Sequence, residues 1–148
     1  DKRCNILPEI KQCAAMTLPI ASAIKATPVI GIKRTLNRII SAKKYGSDDG
    51  ASFALLSSYW RSCVSSMPEQ KKKYDVAISF MWPHDYAKKK VTADKKIAWI
   101  HTDYTVAKMD FAKDEKTWSK FDKIAAVSDE VGNAFAAVYA HIIAFRKI

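Results

Sequence analysis

Apolar residues in the second half of the chain gather into three short runs, residues 74–80 (YDVAISF), 96–101 (KIAWIH) and 122–128 (DKIAAVS), each preceded by a charged or polar stretch. The runs begin 22 and 26 residues apart, the spacing of strands joined by crossover helices. The connections can supply those helices. Residues 85–91 are polar and lysine-rich, and residues 113–121 are charged, with Trp118 and Phe121 available to face inward. After the third run, Ser128 or Asp129 caps a helix over 130–139 that carries Val131, Ala134, Phe135 and Val138 on one face. The series β-α-β-α-β-α predicts a parallel sheet with right-handed crossovers. The runs are apolar throughout rather than alternating, the pattern of strands covered on both faces. A last run, residues 142–145, reads as a fourth strand or a truncated edge.

The first half reads as helical and irregular. Pro8, Pro19, Pro28 and Pro68 punctuate it, and residues 46–50 (GSDDG) form a turn or loop. Between Pro28 and that turn, Ile32, Leu36, Ile39 and Ile40 recur at helical spacing, with Lys33, Arg34, Asn37, Arg38 and Ser41 on other faces. A second helix is predicted over 51–67, carrying Phe53, Leu55, Leu56, Tyr59, Trp60 and Val64. No internal repeat is visible.

Composition makes this one folded unit. With 148 residues, 49% of them apolar and 11% aromatic, the chain can bury one core, which excludes a disordered or low-complexity class. The pattern predicts a single α/β domain over 1–148, mostly helical and basic over 1–73, with the sheet in 74–148. The net charge of +10 favours an anionic partner, and it is lopsided. Through Lys73 there are 13 basic against 5 acidic residues, a net +8, which leaves +2 for the rest. No apolar run approaches the roughly 18 residues of a spanning helix, and the start at Asp1 has no signal-peptide pattern. A cytoplasmic protein, soluble or bound to a surface, is the expectation. Because the chain does not open on Met, it is expected to be cut from something longer. Cys4, Cys13 and Cys63 are odd in number and widely spaced, which suits buried thiols rather than a disulfide framework or a zinc site.

Candidate chemistry follows from the topology, since open parallel sheets bind ligands beyond the carboxyl ends of their strands. There the chain places Trp82, Pro83, His84 and Asp85 after the first run, His101, Thr102 and Asp103 after the second, and Ser128 and Asp129 after the third. The helix beginning at Ser128 offers unpaired N–H groups suited to phosphate. Plainer readings stand beside these: His101 as a hydrogen-bonded histidine closing a strand, Trp82 and Trp99 as packing residues, Ser128 as a helix cap only. His84, Asp85, His101 and Asp103 match no known metal-ligand spacing, so no metal is expected. The four glycines, Gly31, Gly46, Gly50 and Gly132, are isolated, so these residues hold no glycine loop for a nucleotide and no nucleophile elbow. In the basic helix, Lys33, Arg34, Arg38, Lys43 and Lys44 opposite the Ile/Leu stripe suit an anionic bilayer, beside the reading as a solvated surface helix. Nucleic acid is disfavoured, because the lysine clusters at 71–73, 88–90 and 95–96 fall in connections without interleaved surface aromatics.

The segment YDVAISFMWPHDYAKKKVTADKKIAWIHTDY, followed by WSKFDKIAAVSDEVGNAF, closely resembles the N-terminal domain of bacterial family-4 glycosyltransferases of the GT-B fold, which build cell-surface polysaccharides. NILPEIKQCAAMTLPIASAIK looks like the segment leading into that domain's helical region. The likeness covers residues 5–138 and is specific over 74–135. It implies a Rossmann-like parallel sheet flanked by helices, with a helical N-terminal segment, forming part of a GT-B N-terminal domain. It further implies a retaining transfer of sugar from a nucleotide-sugar donor to a lipid-linked or cell-surface polysaccharide acceptor. The nucleotide sugar is a co-substrate held by a second domain; no cofactor or metal is implied. His101 matches the family's cleft histidine and is the implied catalytic residue, while Trp82, Pro83, His84, Thr102, Asp103 and Ser128 are the implied substrate-binding set. The implied place is the cytoplasm, at the inner face of the cell membrane.

The chain departs from that pattern as well. The family's first strand and its glycine-rich loop should precede Asn5. The donor domain and a spaced pair of glutamates should follow Ile148, and Glu9, Glu69, Glu115 and Glu130 do not form such a pair. This chain is therefore expected to be inactive alone. The competing expectation is a non-catalytic α/β module that binds an anionic ligand or surface through its basic half.

Overall fold

The computed structural model describes residues 19–46, 49–80, 84–107 and 109–142. In chain order the elements are α1 (Ile20–Ala26), α2 (Pro28–Tyr45), α3 (Asp49–Cys63) with a 3-10 turn at Val64–Ser66, β1 (Lys73–Phe80), α4 (His84–Lys90), β2 (Thr92–Ile100), α5 (Phe111–Trp118), β3 (Lys123–Ala126) and α6 (Asp129–Val138). The β-α-β-α-β-α series is present, with β2 longer than its apolar run. Local chemistry sets the ends. Pro28 opens α2, where its missing N–H costs nothing. Gly46 ends it at φ 85, its N–H donating to the Ala42 carbonyl at 3.1 Å. Ser128 caps α6, its Oγ accepting from the Val131 N–H at 3.3 Å.

The three strands form one parallel sheet in the order β1-β2-β3, with Ile78 paired to Ile97 and Ala98 to Ile124. Both crossovers step in the same direction, so the right-handed rule puts their helices on one face. That face is the core: Ala98, Ile100 and Ile124 meet Trp118, Phe135 and Tyr139. On the other face Val76, Ile78, Phe80 and Val127 are exposed. Coverage of both faces, expected from the apolar runs, is thus corrected in part: among the described residues β1 is open on this face, while Ala125 of β3, level with Phe80 and Trp99, is buried. The architecture is Rossmann-like α/β, an open parallel sheet flanked by helices. Of the last apolar run only Ile142 lies among the described residues, and it is buried in the core outside any strand.

The helical half docks through a second cluster, Ile30, Cys63, Val64 and Met67 packed with Tyr59, Trp60 and Tyr86. Cys63 is a buried free thiol, and its burial pushes its pKa up. Cys4 and Cys13 lie outside the described residues. A buried ionic stitch joins the same two parts. Arg61 of α3 pairs with Asp114 of α5, and its Nε lies 3.5 Å from Asp85 Oδ2 of α4, close enough for charge attraction but not aligned as a hydrogen bond. Thr117 donates to Asp85 at 3.1 Å and Tyr139 to Asp114 at 3.2 Å. Burial pushes the Asp114 carboxyl up, against the pull of Arg61.

Candidate functional site

Parallel pairing aligns the carboxyl ends of the strands, so Phe80, His101 and Val127 come to one edge of the sheet, and the N-terminus of α6 follows at Ser128. The Val127 N–H donates to the Ile100 carbonyl at 3.2 Å, which holds the two neighbouring strand ends together. His101, the first residue past β2, is half-buried. Its ring meets that of Phe80 edge-on, with centroids 4.2 Å apart and planes at 70°. Phe80 in turn lies 5.8 Å from Trp99. Nε2 of His101 is buried and has no hydrogen-bond partner among the described residues. The same is true of Trp99 Nε1. Buried polar atoms are normally satisfied, so a sheltered, unpaired imidazole nitrogen at this edge is the site's distinguishing feature.

The loop after His101 is built to be held still. Asp103 is exposed, and its Oδ1 accepts from the Thr105 hydroxyl at 2.6 Å and the Thr105 N–H at 2.8 Å. Those bonds lower the Asp103 pKa, and the Asx turn they form is the residue's visible work. Thr102 beside it is half-buried. Tyr104 then drops into the core, edge-to-face with Trp118, Phe135 and Tyr139 at 5.3 to 5.9 Å. Sequence reading left Tyr104 out of the site; its signal was an aromatic directly after a polar strand end. Asp110, also missed, closes the loop before α5. It accepts from Lys113 at 2.9 Å, Lys44 at 3.2 Å and Tyr45 at 3.3 Å, and Lys113 foremost holds its carboxyl down at about 2.

His84 does not line this edge. It is 4% exposed, with its Nδ1 2.9 Å from Ser79 Oγ and its ring against Trp118 at 4.8 Å and Phe121 at 6.1 Å. Burial first, and the neighbouring His101 second, lower its pKa to about 3, so it is neutral. Tertiary packing makes His84 a buried histidine, held by Ser79 and set against Trp118. Trp82 and Pro83 lie outside the described residues. Ser128 does what its capping role requires, at the start of α6.

The four groups weighed as a metal set are engaged separately, Asp85 with Arg61 and Thr117, Asp103 with Thr105. No group of three or more His, Cys, Asp or Glu side chains is arranged to hold a metal ion among the described residues. A groove of ≈ 420 Å³ runs along the edge of β1 that faces away from β2, bordered by Tyr74, Ile78, Phe80, Tyr86 and Val91. It touches the strand-end edge only at Phe80. The chemistry points to His101 rather than to this groove, whose walls are largely apolar.

The basic residues of α2 divide by environment. Lys33 donates to Ser66 at 2.7 Å and Ser65 at 3.2 Å, Arg34 lies 5.5 Å over the Tyr59 ring, and Lys44 pairs with Asp110. Arg38 and Lys43 are exposed. Comparison of the chain with known protein families, with curated proteins and with solved structures finds no match.

Proposed function

We propose that this chain is the acceptor-side part of a retaining glycosyltransferase, which moves a sugar from a nucleotide-sugar donor to a lipid-linked or cell-surface polysaccharide acceptor. The observation that carries the reading is His101: an imidazole at the carboxyl end of the middle strand, its Nε2 sheltered and unpaired among the described residues, close to the start of the Ser128-capped helix. A neutral or protonated imidazole there donates to a sugar hydroxyl or to the phosphate charge that develops as the nucleotide departs. The exposed apolar Phe80 beside it is a surface on which a sugar ring can rest. The motif strings around Trp82, His101 and Ser128 support the same reading by resemblance, as does the Rossmann-like sheet beneath them.

The test uses the intact enzyme of which this chain forms the acceptor side. His101→Ala lowers kcat/KM for sugar transfer by about 10²- to 10³-fold, the loss typical of one transition-state donor, and leaves the thermal midpoint near that of the parent. Unchanged transfer by that variant overturns the reading. The chain by itself gives no turnover with any nucleotide sugar, since the reading puts the donor site in a second domain.

A further inference from the structure

Helix α2 is built with its polar side inward. Ile30, Gly31 and Ser41 are buried, Gly31 against Ile24 of α1 and Ile30 against Cys63 and Val64, and Asn37 faces α3, its Oδ1 accepting from Ser41 at 3.0 Å and Ser58 at 2.7 Å. Lys33 and Arg34 are drawn to Ser66 and Tyr59 on the same side of the molecule. Its aliphatic residues point the other way. Val29, Ile32, Leu36, Ile39 and Ile40 are 53 to 66% exposed and, at helical spacing, fall within a stripe about 100° wide. Isolated exposed aliphatics are ordinary, but five on one face of an 18-residue helix form a contiguous patch of the kind that marks an interface.

Charge selects the occupant. Residues 19–46, which span α1 and α2, contain Lys25, Lys33, Arg34, Arg38, Lys43 and Lys44 and no Asp or Glu. Lys43 lies in line with the stripe at its carboxyl end, and Lys25 is exposed on the adjoining helix. A protein partner for so cationic a segment would be acidic, yet the stripe itself is purely aliphatic and offers no polar group to pair with carboxylates. An anionic bilayer meets both demands at once, hydrocarbon for the stripe and lipid phosphates for the lysines. No helix among the described residues is long and apolar enough to cross a membrane, so α2 lies in the interface.

We infer that α2 docks the protein on an anionic lipid surface, with Val29, Ile32, Leu36, Ile39 and Ile40 buried among the acyl chains and Lys25 and Lys43 at the headgroups. This differs from docking through the polar face: the aliphatic stripe leads, and Lys33 and Arg34 stay engaged within the protein. It does not depend on the proposed sugar transfer, since it rests on α2 and not on His101.

The test is flotation of the full chain with vesicles of phosphatidylcholine, with or without phosphatidylglycerol. The chain floats with the anionic vesicles and not with the neutral ones. Leu36→Ser with Ile40→Ser weakens that binding on the order of tenfold or more, and Lys43→Ala weakens it about fivefold. These positions are exposed, so the variants keep the parent's circular dichroism and thermal midpoint. Leu36→Trp shifts its emission to the blue on anionic vesicles and is quenched by bromine on the upper acyl chain. Failure to float with either vesicle, or binding that the double serine variant leaves intact, overturns the proposal. So does a chain that is dimeric in solution and becomes monomeric in that variant, which would assign the stripe to a second copy.

Discussion

Two histidines just past neighbouring strands have opposite fates, and the difference is a matter of which way each strand end faces. Ser79 and Ala98 are register partners on the covered side of the sheet, so the helix that begins at His84 turns its first residue into the core. His101 follows Ile100 on the alternate side, against Phe80, and its buried Nε2 has no partner among the described residues. The buried His84 carries a pH signature. Its pKa lies at about 3 in the folded chain and near 6.5 when unfolded. Between those values the unfolded chain binds the extra proton, so stability is lost as pH falls below about 6.5, by up to about 1.4 kcal/mol per pH unit. Urea unfolding at a series of pH values from neutral to acid measures this. In His84→Gln the slope is shallower than in the parent by that amount; parallel slopes would show that His84 does not titrate in this way.

Among the elements, the crossing of α1 and α2 turns on one glycine. A Cβ at Gly31 would meet the Cα, N and Cγ1 of Ile24 at 2.6 Å, distances that backbone atoms cannot yield. Gly31→Ala normally improves a helix by up to about 1 kcal/mol. Here overpacking reverses the sign, and the variant is destabilised by about 1 to 3 kcal/mol, read as a lower urea midpoint with α1 displaced. A rise in the midpoint on Gly31→Ala would mean that the two helices do not cross so closely. The same helix shows the limit of periodicity as a guide. The 3.6-residue recurrence of Ile32, Leu36, Ile39 and Ile40 identifies α2, yet it does not say which side faces the protein. Asn37, Ser41 and Ser58 decide that by pairing with one another in the seam.

At the scale of the whole molecule, Arg61 is the most buried of the charged groups that join the helical half to the sheet half, Lys44 pairing with Asp110 at the surface. It faces Asp114 and Asp85 from α3, so removing it strands two carboxylates in a poorly solvated place. Arg61→Met costs about 3 to 5 kcal/mol, as breaking a buried pair does. Denaturation followed by fluorescence and by far-ultraviolet dichroism reports the cost. A loss under about 1 kcal/mol would mean that solvent reaches the pair and that other contacts, such as the Ile30–Met67 cluster, join the halves.

Much of this architecture was legible in the chain. The three apolar runs, their spacing, the Ser128 cap and the inward Trp118 and Phe121 all read correctly, because strand length, helix period and cap chemistry act locally. The edge where His101 stands was legible too, since carboxyl ends of parallel strands converge whatever the side chains. What stayed hidden depends on partners far away in sequence. His84 is a core residue because Trp118 and Phe121 come to it; Asp110 is tied to α2 because Lys44 and Tyr45 reach it; Arg61 matters because α5 brings Asp114 across.

The sequence by itself determined the class of fold, the order of its elements and the sign and placement of its charge, because each follows from local pattern and composition. Tertiary structure alone decided how far each face of the sheet is covered, that His101 leaves a buried nitrogen unpaired among the described residues, and that α2 turns its aliphatic side outward. Those outcomes are set by the competition of distant groups for the same buried space, and no window along the chain contains both competitors.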